Sequence, residues 1–280
     1  LVYVPDTKWF IDQFWGLYES VQHSTPNRKK FSFVIICNAS AKEKLPDDNC
    51  DYFVREKELS EHEGYQFKYN NSPYRYINSF HHFADEEVVE HLQNKYHYCL
   101  RMDVDTFVTP EAYRLGVTPN EIKVGHGGYA SEESTRRLKQ TCKDLGIKHN
   151  SKIHNVGSSW FGHTKNVITM GKSACEYAKY LINQDSMFVE KEGVWPDWYA
   201  GVVSMYAGHL AACKHTFYIN KFLLDVGTSG DYSWHDTYTA HCWHTGDFFS
   251  KFEFAAGNYD FKEIMKEDWI KSGLLSDYAL

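Results

Sequence analysis

The sequence predicts an α/β layer fold with a mainly parallel sheet, and three observations carry that expectation. Phe31–Cys37 (FSFVIIC) is an unbroken apolar run bounded by polar clusters, the pattern of a strand buried on both faces. Tyr98–Met102 is a second β-prone run, and it stops abruptly at two aspartates, Asp103 and Asp105. Around these runs apolar residues recur at helical spacing, so strands alternate with helices through the first half.

In chain order, Leu1–Val4 reads as a short strand closed by Pro5. Trp9 to Val21 places Phe10, Phe14, Leu17 and Val21 on one helical stripe. Tyr52–Val54 is a further short strand after FSFVIIC. Between Tyr74 and Leu92 the stripe Ile77, Phe80, Ala84 and Val88 predicts another helix. After the strand Tyr98–Met102 come a strand at Ile122–Val124 and a polar helix from Ser131 to Leu145 showing Leu138, Cys142 and Leu145. Trp160 and Phe161 fall in a short strand, and Val167–Ile182 is an amphipathic helix with Met170, Ala174, Ala178 and Leu181 on one side. A last helix runs from about Trp198 to Ala212, and the aromatic tail from Phe217 reads as loop. No repeat or Pro/Ser/Gly linker divides the chain.

Composition narrows the function classes. A net charge of −7, from 37 acidic and 30 basic residues, argues against a nucleic-acid surface. Aromatics reach 16%, with 20 Tyr and 8 Trp; most belong to the core, and some are suited to stacking on sugar faces. No run approaches the ~18 apolar residues of a membrane helix. The chain starts at Leu1 in an apolar segment, so any leader or anchor would lie outside it. Localisation stays open between a Golgi or secretory lumen, if an anchor was removed, and the cytoplasm. The 7 cysteines lack any C-x-x-C pair, which excludes a disulfide scaffold or zinc ribbon and leaves buried free thiols as the expectation. Asn38-Ala39-Ser40 and Asn70-Asn71-Ser72 match the glycosylation pattern, the second followed by Pro73.

The chemistry centres on YHYCLRMDVDTFVTP. Residues two apart in an extended segment project to one side, so Asp103 and Asp105 converge. Two such carboxylates repel unless a positive charge lies between them. A hard divalent cation, Mn²⁺ or Mg²⁺, takes this kind of oxygen site and fills its remaining positions with water and substrate phosphates. A plain turn cap before Thr106 is the bland alternative. A second is a phosphatase of the haloacid-dehalogenase type, with Asp103 as nucleophile. There the pattern D-x-D-x-T/V would require Thr or Val where this chain has Phe107, and the motif usually opens the chain.

Four motifs in order resemble the GT-A-fold, sugar-nucleotide-dependent glycosyltransferases. PYRYINSFHHF resembles the helix from which a basic residue, here Arg75, reaches the nucleotide. CLRMDVDTFV resembles their D-x-D strand end. HNVGSSWFG is similar to the Asn-x-Gly segment lining the donor-sugar pocket, which would assign Asn155, Gly157 and Ser158 to it. WPDWYAGVVSMYA resembles the acidic residue at a helix start that faces the reacting sugar, here Asp197. A fifth, HCWHTGD, is similar to the late His completing the metal site, so His241 or His244 is the third ligand.

The resemblance implies a GT-A (Rossmann-like) fold, a mixed, mainly parallel sheet flanked by helices. It implies one catalytic domain over 1–280, with a nucleotide-binding half in 1–110 and a donor-sugar and acceptor half in 111–280. The implied reaction moves a sugar from a UDP- or GDP-linked donor to a hydroxyl of a carbohydrate or glycoprotein acceptor, in the manner of retaining members. Asp103 would also meet the donor. A catalytically silent sugar-binding relative remains an alternative, as does the Asp-based phosphatase or metal hydrolase. Asp197 is read as either a catalytic group or a helix N-cap. GHGGY (Gly125–Tyr129) is read as a flexible cleft edge rather than a phosphate loop. Trp195, Trp198, Trp234 and Trp243 are read as acceptor-side stackers or core. Asp105→Asn is expected to abolish activity and leave the fold intact.

Overall fold

The computed structural model describes residues 1–24, 31–69, 71–129, 131–153, 155–184, 197–215, 217–221, 223–228, 232–242 and 250–259. In chain order its elements begin β1 (Val2–Tyr3), α1 (Lys8–Ser24), β2 (Phe33–Cys37), α2 (Ala39–Lys42) and β3 (Cys50–Val54). There follow β4 (Lys68–Tyr69), β5 (Ser72–Pro73), α3 (His81–Ala84), α4 (Glu86–Lys95), β6 (Tyr98–Arg101), β7 (Thr106–Val108) and β8 (Glu121–His126). The rest are α5 (Glu132–Asp144), β9 (Val156–His163), α6 (Thr164–Ile182), α7 (Val203–Lys214), β10 (Tyr218–Lys221), β11 (Val226–Gly227), β12 (Thr239–His241) and α8 (Lys251–Ala256).

These elements form two compact units built from interleaved segments. The first comprises Leu1, Arg55–Arg101 and Val117–Phe222; the second comprises Val2–Val54, Met102–Gly116 and Leu223–Leu280. In the first unit the sheet order is β10-β8-β9-β6, and helices α6 and α7 pack on β9. Trp160 of β9 is the anchor: it is buried, stacks on Phe83 at 5.9 Å, and shares the Arg101 guanidinium with Phe80. Helix α7 can approach that ring because residue 208 is glycine; a Cβ there would stand 2.6 Å from Trp160.

The expected helix over 74–92 is interrupted. A 3-10 turn at Arg75–Phe80 and α3 stop at Asp85, whose backbone is extended and whose carboxylate caps α4 by accepting from the Glu87 and Val88 amides. An Asp before a Glu-Glu first turn is a strong N-cap and helix-start signal, and it overrides the continuous apolar stripe. Asn38 of the first glycosylation pattern likewise caps α2, accepting from the Ala41 amide at 2.8 Å; Asn70 lies outside the described residues.

In the second unit β1, β2 and β3 pair in parallel, as the apolar run FSFVIIC requires, while β12 pairs parallel to β11 and antiparallel to β7. Among the described residues four strand pairings are parallel and four antiparallel. The fold is therefore mixed α/β, and the expectation of a mainly parallel sheet is corrected. The main cause is β9: Gly157-Ser158-Ser159 looks like a turn by composition, yet it lies inside an eight-residue strand antiparallel to both neighbours. All 7 cysteines are free thiols, five of them buried. No helix of the described residues is long and apolar enough to cross a membrane.

Candidate metal centre

The D-x-D pair occupies a turn rather than a strand: the chain leaves β6 at Arg101, turns at Val104 and Asp105, and enters β7 at Thr106. Extended alternation is thus not what aligns the carboxylates. Their convergence depends on β7 and β12. The antiparallel register sets His241 opposite Thr106, and the Cys242 amide extends the ladder by donating to the Asp105 carbonyl at 2.9 Å.

Helix α1 holds the other edge of β7. The Val108 amide donates to Ser20 Oγ at 2.9 Å, and Ser24 Oγ donates to the Val108 carbonyl at 2.6 Å. Two helix serines thereby satisfy a strand edge that would otherwise be buried unpaired. Gly16 sets the spacing, since a Cβ there would lie 3.0 Å from the Phe107 ring.

The result is a cluster in which donor atoms of Asp103, Asp105 and His241 lie within 4.8 Å of one another. His241 Nε2 is 3.2 Å from Asp105 Oδ1, and Lys251 Nζ is 2.6 Å from Asp105 Oδ2. Asp225 Oδ1 lies 3.7 Å from the other ring nitrogen, Nδ1. Asp225 is buried and has φ +55°, the left-handed region that Asp tolerates better than most residues; its amide donates to Thr239 Oγ1 at 3.0 Å.

The charges are strongly interdependent. Burial pushes the Asp105 carboxyl up, but the His241 ring and then the Lys251 ammonium outweigh it and hold the group well below the usual carboxylate range. Burial pushes His241 down, while Asp105 most, then Asp225 and Asp103, raise it to about 9. With no metal the ring is an imidazolium at neutral pH, and it supplies the positive charge that neighbouring carboxylates need. A divalent cation would take that place and expel the proton. Two carboxylates and one imidazole fit such an ion; the nitrogen donor suits Mn²⁺ better than Mg²⁺.

Sequence reasoning named three of these groups and missed two. Lys251 begins α8 and carries no motif, while Asp225 falls in the tail that composition leaves unassigned. The one available signal for Asp225 was an acid near a strand of β-branched and small residues, Val226-Gly227-Thr228.

Of the other predicted residues, Arg75, Asn155, Gly157, Ser158 and Asp197 belong to the first unit. Arg75 is exposed at the start of its 3-10 turn, with Nε 3.4 Å from Glu58 Oε2. Asn155 is half-buried and its carbonyl accepts from the Gly127 amide at 3.1 Å. Gly157 and Ser158 are buried in β9, where their carbonyls accept from Trp160 Nε1 and from Arg101. Asp197 is exposed at a bend and is not the N-cap that its sequence position suggested: Tyr199 caps the turn Ala200–Val202, and α7 starts at Val203. GHGGY is no loose cleft edge, because Gly125 and His126 end β8 and Tyr129 is fully buried, its hydroxyl accepting from the Val156 amide at 2.7 Å. Trp198 is core, stacked on Tyr206 at 4.2 Å, and Trp234 is half-buried against Val226 and Ala240. His244, Trp195 and Trp243 lie outside the described residues.

No match to a curated protein was found. A family profile, that of the domain of unknown function DUF7164, matches residues 1–278, and the chain therefore belongs to that family.

Proposed function

We propose that this chain is a metal-dependent glycosyltransferase that moves a sugar from a nucleoside-diphosphate sugar to a hydroxyl acceptor. The observation that carries the reading is the convergence of Asp103, Asp105 and His241, in which a late histidine joins a D-x-D pair across the β7–β12 ladder. Asp103, Asp105 and His241 would hold Mn²⁺. The ion, when bound, stabilises the charge that develops on the departing diphosphate.

The fit of the donor set supports this reading over a hydrolase with Asp103 as nucleophile. That hydrolase would need a neighbouring acid to protonate the leaving group, and Asp105 is held ionised by His241 and Lys251.

The test is thermal stabilisation by UDP or GDP with and without Mn²⁺, followed by a screen of nucleotide sugars for slow donor hydrolysis. Stabilisation that requires both nucleotide and Mn²⁺ is the expected result. Indifference to every nucleotide in the presence of Mn²⁺ overturns the proposal.

A further inference from the structure

The first unit holds a solvent-open cavity of about 560 Å³, and every residue lining it belongs to that unit. The volume falls within the roughly 300–1,000 Å³ of small-molecule sites. Two tyrosines set its character. Tyr65 and Tyr177 line it with side chains that are each only 8% exposed, and neither hydroxyl has a hydrogen-bond partner among the described residues. A phenol buried to this degree ordinarily has one. Neither hydroxyl is sealed from solvent, so the missing partner is whatever fills the cavity.

The charged groups stand open in the same way. An ammonium lies over each ring: Lys179 Nζ is 5.7 Å from the Tyr65 centroid, and Lys214 Nζ is 5.7 Å from that of Tyr177. Gly64 makes room for the first of these contacts. Its φ is +83°, and a Cβ there would stand 1.9 Å from Lys179 Cε. Glu63 and Glu176 line the same cavity, yet neither they nor the two ammonium groups form an ion pair among the described residues. Lys172 and Glu86, also in the lining, are paired at 2.7 Å. The lysine and glutamate charges of the lining therefore balance, three against three. Ser173 adds a hydroxyl held 2.9 Å from His215 Nε2, while Leu59 and Phe83 supply buried apolar surface.

We infer that this cavity binds a neutral oligosaccharide. A sugar hydroxyl donates and accepts at once, so it can give its proton to Glu63 or Glu176 and accept from Lys179 or Lys214. The phenols take further hydroxyls, and the apolar ring faces meet Leu59 and Phe83. An anion would face three carboxylates, and a cation three ammonium groups. A wholly apolar ligand would leave the phenols and charges unpaired. A free amino acid would meet one charge of each sign and leave both phenols without partners. None of these groups belongs to the metal centre, and binding here requires neither metal nor nucleotide.

The experiment uses the intact chain in EDTA without nucleotide, so its outcome is independent of sugar transfer at the metal centre. The chain is applied to a glycan array, and the best-bound neutral glycan is carried to isothermal titration. Binding of a neutral glycan is expected. Tyr65→Phe and Tyr177→Phe each remove one hydroxyl and should weaken that binding roughly three- to tenfold with an unchanged unfolding transition. Lys214→Gln, at an exposed position, should weaken it similarly without touching the core. The inference is overturned if no neutral glycan binds, if only sialylated, sulfated or phosphorylated glycans bind, or if all three variants bind as the parent chain does.

Discussion

At Asp105 one carboxylate oxygen faces His241 and the other faces Lys251, so a prospective metal ligand is also the hub of a buried ion cluster. This corrects the expectation that Asp105→Asn would spare the fold. Removing one partner leaves the other charge buried without compensation, which typically costs about 3–5 kcal/mol. Asp105→Asn should therefore lower the denaturation midpoint as well as abolish Mn²⁺ binding. Asp103→Asn is the cleaner substitution: isothermal titration should show Mn²⁺ affinity reduced by at least about tenfold with a near-normal unfolding transition. An Asp103→Asn chain that binds Mn²⁺ normally would remove Asp103 from the ligand set.

His241 makes a pH prediction at the same scale. Its pKa is about 9 in the fold and near 6.5 once unfolded, so its contribution to stability is full below 6.5 and is lost as pH rises through about 9. Asp105, depressed, contributes above the ordinary carboxylate range and loses its contribution as pH falls below it. Melting temperature without metal should decline between pH 6.5 and 9. Mn²⁺ needs the neutral ring, so the stabilisation it adds should grow across that same interval. A metal increment that shrinks with rising pH would count against His241 as a ligand.

At the scale of elements, the site depends on how α1 grips β7. Ser20 and Ser24 stand where a neighbouring strand would otherwise supply hydrogen bonds to Val108. Ser20→Ala leaves the Val108 amide buried and unpaired, with an expected cost of about 1–3 kcal/mol by urea denaturation. In the first unit Gly208→Ala should cost a similar 1–3 kcal/mol, because its Cβ would press on Trp160, an anchor also packed by Phe80 and Phe83. The helices behind these contacts were legible because their burial follows a 3.6-residue period: Met170, Ala174, Ala178 and Leu181 of α6 are all buried. Strands β7, β11 and β12 were not, since each has only two or three residues, too few to establish alternation. The length of β9 was hidden for a different reason. Its serines are polar by type and become buried only through the sheet and helices around them.

At the scale of the whole chain, each compact unit draws on segments far apart in sequence. Residues 1–110 supply β7 to the second unit but lack β11 and β12, and they supply β6 to the first but lack β8 and β9. A fragment of residues 1–110 should therefore show no cooperative unfolding transition, and neither should 111–280, by circular dichroism during heating. A cooperative transition in either fragment would mean that the contacts defining the units are dispensable.

The sequence by itself determined the α/β alternation, the buried strand FSFVIIC and the position of the two carboxylates at a strand end, because each rests on local periodicity or on adjacent residues. It also offered His241, with His244 as the alternative, through the resemblance carried by HCWHTGD. Only the tertiary structure decided the antiparallel placement of β9, the absence of a capping role for Asp197, and the entry of Asp225 and Lys251 into the cluster. The physical reason is common to the last two. A lysine or aspartate has no sequence periodicity of its own; what makes it part of a charged site is a partner remote in the chain, here His241, 3.7 Å from Asp225, and Asp105, 2.6 Å from Lys251 at the start of α8.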